Sequence, residues 1–138
     1  MKILIDTCFW IALYNPDKHA DKTDEVDTII DLIDGHEIII PFPSLYEFLN
    51  SKFSRKNDAL NFQKRISRPD YIKLDDSEFK DLALESFFEK AVNEFNDVSL
   101  VDEIMKNIMS SKNYKIDYLI SFDEGLRNYA TSLGVKVT

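Results

Sequence analysis

Lys2-Ile3-Leu4-Ile5-Asp6-Thr7 is the stretch on which the fold turns. A short apolar run closes on an acid, and Phe9, Trp10, Ala12 and Leu13 then follow at helical spacing, so the chain begins as a strand and passes directly into a helix. Asn15, Pro16 and Asp17 break that helix. Thr23 or Asp24 is placed to cap a second helix carrying Val26, Ile29, Ile30 and Ile33, with Gly35 as its stop. A second strand follows from His36 to Pro41, and Pro41 and Pro43 end it. Ser44 is then expected to open a third helix through Leu45, Phe48, Leu49 and Phe53.

The same alternation continues to the other terminus. Asn57 opens a helix through Leu60, Phe62 and Ile66, Pro69 ends it, and Tyr71 to Leu74 alternates like a short edge strand. Ser77 is expected to cap a long amphipathic helix whose apolar residues are Phe79, Leu82, Ala83, Phe87, Ala91 and Phe95, with Asn96 and Asp97 as breakers. Ser99 starts the next helix, with Leu100, Val101, Ile104, Met105, Ile108 and Met109 on one face. Ile116 to Ser121 reads as a strand, Glu124 to Leu133 as a helix, and Gly134 precedes Val135 to Val137. No internal repeat is visible. Strands that alternate with helices imply a parallel α/β sheet, because parallel strands need long crossovers that cover both faces.

The whole chain fits one domain spanning 1–138. Apolar residues make up 44% and charged residues 30%, with 3 Gly and 4 Pro, which excludes fibrous and low-complexity classes. No apolar run approaches the ~20 residues of a membrane span, so the expectation is a soluble, cytoplasmic protein. Cys8 is the single cysteine, which excludes an internal disulfide framework or a multi-Cys zinc site. The three glycines form no phosphate-cradling loop. His19 and His36 lie away from the strand-end acids, and no base is placed for Cys8 to act as a nucleophile.

Net charge is −8, which opposes broad adhesion to nucleic acid. Between 52 and 68, however, Lys52, Arg55, Lys56, Lys64, Arg65 and Arg68 face Asp58 alone, a local +5 on an acidic body. This segment is either a solvated helix face or an arm that meets phosphates.

Ligands of open α/β sheets collect at the carboxyl ends of the strands, which selects four acids. Asp6 ends the first strand, Glu47 lies in the first turn of the helix after the second, Asp102 in the first turn of a later helix, and Asp123 just after the fourth strand. Converging carboxylates suit a hard cation such as Mg2+ or Mn2+. At a phosphodiester such an ion can acidify water, orient the phosphate and neutralise the leaving oxygen. Capping is the competing explanation: Ser44-x-x-Glu47 has the form of a capping box, Ser99-x-x-Asp102 a weaker one, and Asp6 and Asp123 stand where N-caps stand. Two carboxylates ~4 Å apart repel by about 4 kcal/mol at an effective dielectric near 20, so a metal-free cluster is expected to hold its protons more tightly than usual.

With these residues in place, the chain resembles the PIN-domain nucleases, in particular VapC-like toxins of bacterial toxin–antitoxin pairs. The resemblance runs the whole length. Its motifs are Ile3-Leu4-Ile5-Asp6-Thr7, Ser44-Leu45-Tyr46-Glu47, Ser99 with Asp102, and Leu119-Ile120-Ser121-Phe122-Asp123. It implies a three-layer α/β/α fold with a central parallel sheet, and Mg2+- or Mn2+-dependent endoribonuclease activity that leaves a 5'-phosphate and a 3'-hydroxyl. By position it makes Asp6, Glu47, Asp102 and Asp123 the catalytic, metal-holding quartet. Thr7 and Ser121 become the hydroxyls that orient a carboxylate or a water beside the metal. Lys52, Arg55, Lys64, Arg65 and Arg68 become candidate RNA contacts, with a small antitoxin protein or a second copy as partner and Phe88 as the residue placed for either groove. The alternative is a catalytically inactive PIN-like domain that binds RNA or a protein.

Overall fold

Strand β1 (Lys2–Ile5) sits at the centre of a five-stranded sheet in the order β3-β2-β1-β4-β5, with every pairing parallel. The computed structural model describes the chain apart from Lys52, Ser54 and residues 94–98. The readings placed on Lys52, Phe95, Asn96 and Asp97 therefore lie outside the described residues. The strands after β1 are β2 (Glu37–Pro41), β3 (Tyr71–Leu74), β4 (Tyr118–Ile120) and β5 (Lys136–Val137). The helices are α1 (Thr7–Tyr14), α2 (Thr23–Ile33), α3 (Phe42–Asn50), α4 (Lys56–Ile66), α5 (Lys80–Asn93), α6 (Leu100–Ser110) and α7 (Glu124–Ser132).

Successive side chains of a strand point to opposite faces, and both faces of this sheet are covered. Ile3, Ile5, Ile38, Ile40 and Ile120 pack with Phe9, Trp10, Val26, Ile29, Phe48 and Phe62 from α1 to α4. Leu4, Ile39 and Leu119 pack on the other side with Ala83, Ile104, Met105, Ile108, Leu126 and Ala130 from α5 to α7. The result is a three-layer α/β/α architecture, and it explains why β1 is apolar at every position from Ile3 to Ile5 rather than alternating. Among the described residues, no helix is long and apolar enough to cross a membrane.

The strand order places the site. From β1 the chain adds β2 and β3 outward on one side, then returns to lay β4 against β1 on the other. Strand order therefore reverses between β1 and β4, and the crevice beyond their carboxyl ends is where such sheets bind ligands. Asp6 leaves β1 and Asp123 follows β4 at that point, and Asp6 N donates to Ile120 O at 2.9 Å to tie the two strand ends together.

Several helix starts differ from their sequence reading. A 3-10 turn (Ala20–Lys22) leads into α2, whose first residue is Thr23 and whose N-cap position, Lys22, makes no side-chain bond. α3 begins at Phe42, before Ser44, because Pro43 fits the first turn of a helix, where its missing N–H would have no partner. Ser77 spends its hydroxyl on Asp75 and lies in the turn that precedes α5, which starts at Lys80. Only a narrow stripe of α5 is covered: Phe79 and Ala83 are buried and Phe87 is half-buried, whereas Leu82 and Ala91, expected in the core, are exposed. Leu82 is one residue, hence about 100° of helix rotation, away from the stripe that packs on α6. Phe88, at 58% exposure, stands outside it as well. Gly134, at φ 79°, ends α7 and turns the chain into β5, with Val135 N donating back to Ala130 O at 3.0 Å.

Candidate functional site

Asp6 is the innermost of the four acids, 6% exposed, and its carboxylate is fully engaged. Extended backbone at Asp6 carries the chain out of β1 and makes it the N-cap of α1, where Oδ1 accepts from Thr7 N at 2.8 Å. Oδ2 accepts from Ser121 Oγ at 2.8 Å and from Cys8 Sγ at 3.4 Å. Burial raises its pKa and the Asp123 charge adds to that, against the opposing pull of the Ser121, Cys8 and Thr7 hydrogen bonds.

Ser121 is fully buried and links two acids. It donates to Asp6 and accepts from Asp123 N at 3.0 Å, which fixes the turn between β4 and α7. Asp123 is exposed and caps α7 by accepting from Leu126 N at 3.0 Å. Asp102 stands in the first turn of α6, whose N-cap Ser99 accepts from Asp102 N at 3.3 Å. Its pKa is pushed up to about 6, first by burial, then by the charges of Asp6, Asp123 and Glu47, with Lys106 pulling the other way. Charges from α1, α3 and α7 therefore all bear on one carboxyl of α6. The expected shift is present, with burial ahead of repulsion as its cause. Glu47 is exposed on α3 and takes part in no capping box, because that helix starts two residues before Ser44. Ser44 is instead buried with its hydroxyl on Met105 Sδ at 3.7 Å, which fastens α3 to α6.

The charges of Asp6, Asp123 and Glu47 all bear on Asp102, and two of these acids, Asp6 and Asp123, are also helix caps. The remaining predicted residues separate. The Thr7 hydroxyl donates to Ser44 O at 3.3 Å, so Thr7 supports Asp6 through its backbone N–H rather than its side chain. Arg65 Nη1 donates to the Tyr71 hydroxyl at 3.3 Å, and Arg68 lies 3.1 Å from Asp70 and 4.0 Å from Asp34. Tyr71 begins β3 and registers with Ile38 near the start of β2, so these two arginines mark the edge where the strands begin. The length of a strand, about 13 Å at ~3.3 Å per residue, separates them from the acids. Lys64 is exposed on the same last turn of α4, and Arg55 is exposed at that helix's other end.

Three residues of this neighbourhood escape sequence reasoning. Cys8 is a neutral donor to Asp6, its pKa pushed up to about 12 by burial first and by the Asp6 charge second, and it also accepts from Phe122 N at 3.3 Å. Its position two residues after an N-cap acid was the available signal. Lys106 lies one turn beyond Asp102 on α6, a spacing that brings side chains together. Glu103 is buried beside Asp102 but neutralised, with Lys90 Nζ at 2.5 Å and Lys106 Nζ at 3.8 Å.

The donor set is entirely carboxylate and hydroxyl oxygen, the chemistry Mg2+ and Mn2+ prefer. Among the described residues, no three His, Cys, Asp or Glu side chains stand close enough to ligate one ion directly. An ion that keeps several waters needs only one or two carboxylates in direct contact.

No family model and no curated protein matches the sequence. Among solved structures, VapBC2 from Rickettsia felis bound to a DNA fragment from their promoter is similar, with 14% identity and a TM-score of 0.60 over 100% of this chain and 98% of that one. The likeness is one of fold: the parallel sheet between two helical layers is PIN-like over the whole chain.

Proposed function

We propose that the protein is a Mg2+- or Mn2+-dependent endoribonuclease whose site is built from Asp6, Asp102, Asp123 and Glu47. The observation that carries this reading is Asp102, whose acidity is weakened first by burial and then by the charges of Asp6, Asp123 and Glu47, which come from separate elements around the strand-order reversal. Like charges gathered without compensation are costly in a resting protein, and a divalent cation removes that cost.

Asp6 and Asp102 would hold the ion, with Glu47 and Asp123 reaching it through water. When bound there, the ion would activate water, orient a phosphodiester and neutralise charge on the leaving oxygen. The chain supplies the geometry. Ser121 Oγ–H and Cys8 Sγ–H both point at Asp6 Oδ2, so that carboxylate keeps one orientation. The same Ser121 oxygen holds Asp123 N, which keeps the α7 terminus in step with Asp6. The high thiol pKa of Cys8 makes it a permanent proton donor here and removes it as a nucleophile.

The resemblance of the sequence and the likeness to VapBC2 together support a toxin of a toxin–antitoxin pair, held by a small protein partner, as the setting for this activity. One rival is a PIN-like module that binds RNA or protein without cutting, in keeping with the lack, among the described residues, of three side chains close enough to ligate one ion. Labelled single-stranded RNA incubated with protein in Mn2+, in Mg2+ and in chelator, beside Asp6→Asn, separates them. Cleavage confined to the metal arms and lost in Asp6→Asn is expected. Cutting that ignores chelator, or binding with no cutting in either metal, overturns the nuclease reading.

A further inference from the structure

We propose that the cavity between α2 and the β4–α7 turn is a nucleobase pocket, and that guanine is the base it takes; the inference rests on the reading of RNA as substrate. The cavity is about 380 Å³, within the range of small-molecule sites. Its place is the first argument. Phe122, one of its walls, lies between Ser121 and Asp123 in the β4–α7 turn, so the cavity adjoins the turn that carries one of the four acids, though none of the four lines it.

The second argument is its chemistry. Ile29 and the half-buried Phe122 ring give apolar surface for a flat ligand, and aromatic side chains are what unpaired bases stack on. Around them stand Asp24 and Glu25 as acceptors and Arg127 as donor. The two acids outnumber the one cation, which disfavours a phosphate inside the cavity and leaves both acceptors and a donor for a neutral base. Lys22 stands beside it, its ammonium 5.0 Å from the centroid of the Phe122 ring and 4.0 Å from Glu25 Oε2, a partly exposed pair that an incoming nucleotide would have to share.

The donor and acceptor set selects among bases. A guanidinium reads the O6 and N7 acceptors of guanine, and a carboxylate can accept from its adjacent N1–H and N2–H groups. Adenine, cytosine and uracil each lack one of these paired edges. Arg127 is already positioned, since Nη1 donates to Ser121 O at 3.3 Å and its backbone N donates to Asp123 O at 3.0 Å. Thr138, which also lines the cavity, has a buried hydroxyl with no hydrogen-bond partner among the described residues, and buried polar groups of that kind are uncommon.

The test is nitrogen-15 NMR of the full chain in chelator, titrated separately with the 5'-monophosphates of guanosine, adenosine, cytidine and uridine. Guanosine monophosphate is expected to shift the amides of Thr28, Ile29, Phe122 and Arg127 and to bind at least about fivefold tighter than the other three. Arg127→Met should weaken it about tenfold and Arg127→Lys less. Glu25→Gln and Thr28→Trp, both at exposed positions of α2, serve if the arginine variants do not fold, and each should weaken binding too. Shifts elsewhere only, or equal binding of all four nucleotides, overturn the proposal. Guanosine binding in a protein that cuts no RNA sustains the pocket and sinks the nuclease; RNA cleavage with no nucleotide binding at these residues sinks the pocket alone.

Discussion

The two edges of the sheet treat charge in opposite ways. Where the strands begin, cations are matched: Arg68 stands 3.1 Å from Asp70 and 4.0 Å from Asp34, and Arg65 bonds the Tyr71 hydroxyl. Where they end, four acids bear on one another, and Lys106 is the cation that offsets them at Asp102. Neighbouring residues of α6 repeat the contrast, since buried Glu103 is balanced by Lys90 and Lys106 while Asp102 beside it has only the partial offset of Lys106 against three acids. Matched charge fastens elements together, as Lys90 and Glu103 fasten α5 to α6. Unmatched charge opposes folding until something binds, and that asymmetry separates the candidate site from the structural ion pairs.

The largest effect is expected from neutralising the unmatched edge. Asp6→Asn and Asp102→Asn should each lower metal-dependent cleavage by at least ~100-fold, close to 3 kcal/mol of barrier. Asparagine at position 6 keeps an acceptor for Thr7 N but places an NH2 where Oδ2 accepts from Ser121 and Cys8, so relief of repulsion is set against that loss and the melting temperature in chelator should hold, while Asp102→Asn should hold or raise it. A ligand that binds only the folded state raises stability in proportion to its excess over Kd, and most of the Mn2+-induced rise should vanish in both variants. Asp6→Ala also deletes the cap and should cost about 1 kcal/mol. Melting curves with and without Mn2+ read all of this. An Asn variant that melts lower in chelator yet keeps its Mn2+ response breaks the comparison.

The matched edge should behave conversely. Arg65→Met leaves the Tyr71 hydroxyl without its donor at a partly buried position, which should cost about 2 kcal/mol, read by denaturant unfolding. The Mn2+-induced rise in melting temperature should be retained in full. A loss of that response would mean that the two edges are coupled.

This division of charge was only half legible in the sequence. Asp6 and Asp123 could be found because each closes an apolar run, and Ile3 to Ile5 and Leu119 to Ile120 are indeed fully buried strand residues. The alternation of strands and helices likewise yielded the parallel sheet. The pairing of Arg68 was not legible, because charge counted between 52 and 68 does not reveal what lies beside it: Asp34 and Asp70, which hold Arg68, come from before β2 and before β3. Helix starts suffered from the same locality. Ser44 and Ser77 have the chemistry of caps, but Pro43 fits inside a first turn and Asp75 captures the Ser77 hydroxyl. Ser121 was expected to orient a carboxylate and does donate to Asp6, but Cys8 as its fellow donor required two strand ends to meet, which no spacing encodes.

The smallest effect, and the sharpest on Asp102, is the pH dependence of the metal-free protein. A carboxyl at about 6 in the fold, against 3.8 ordinarily, keeps its proton between those values while the unfolded chain has released it. The folded state then binds more protons than the unfolded one, so stability falls as pH rises through that window. The full shift corresponds to roughly 3 kcal/mol at 1.36 kcal/mol per pH unit, and partial exposure of Asp102 reduces it to about 1 kcal/mol after solvent screening. In a chain of this length that is about 3 °C, with the chelated protein melting higher at pH 5 than at pH 7.5. Asp102→Asn should flatten most of that slope, leaving the part that buried Asp6 contributes in the same direction. If the wild-type chain instead gains stability between pH 5 and 7.5 and Asp102→Asn leaves the profile unaltered, the acids at the strand ends are no less matched than the arginines at the other edge.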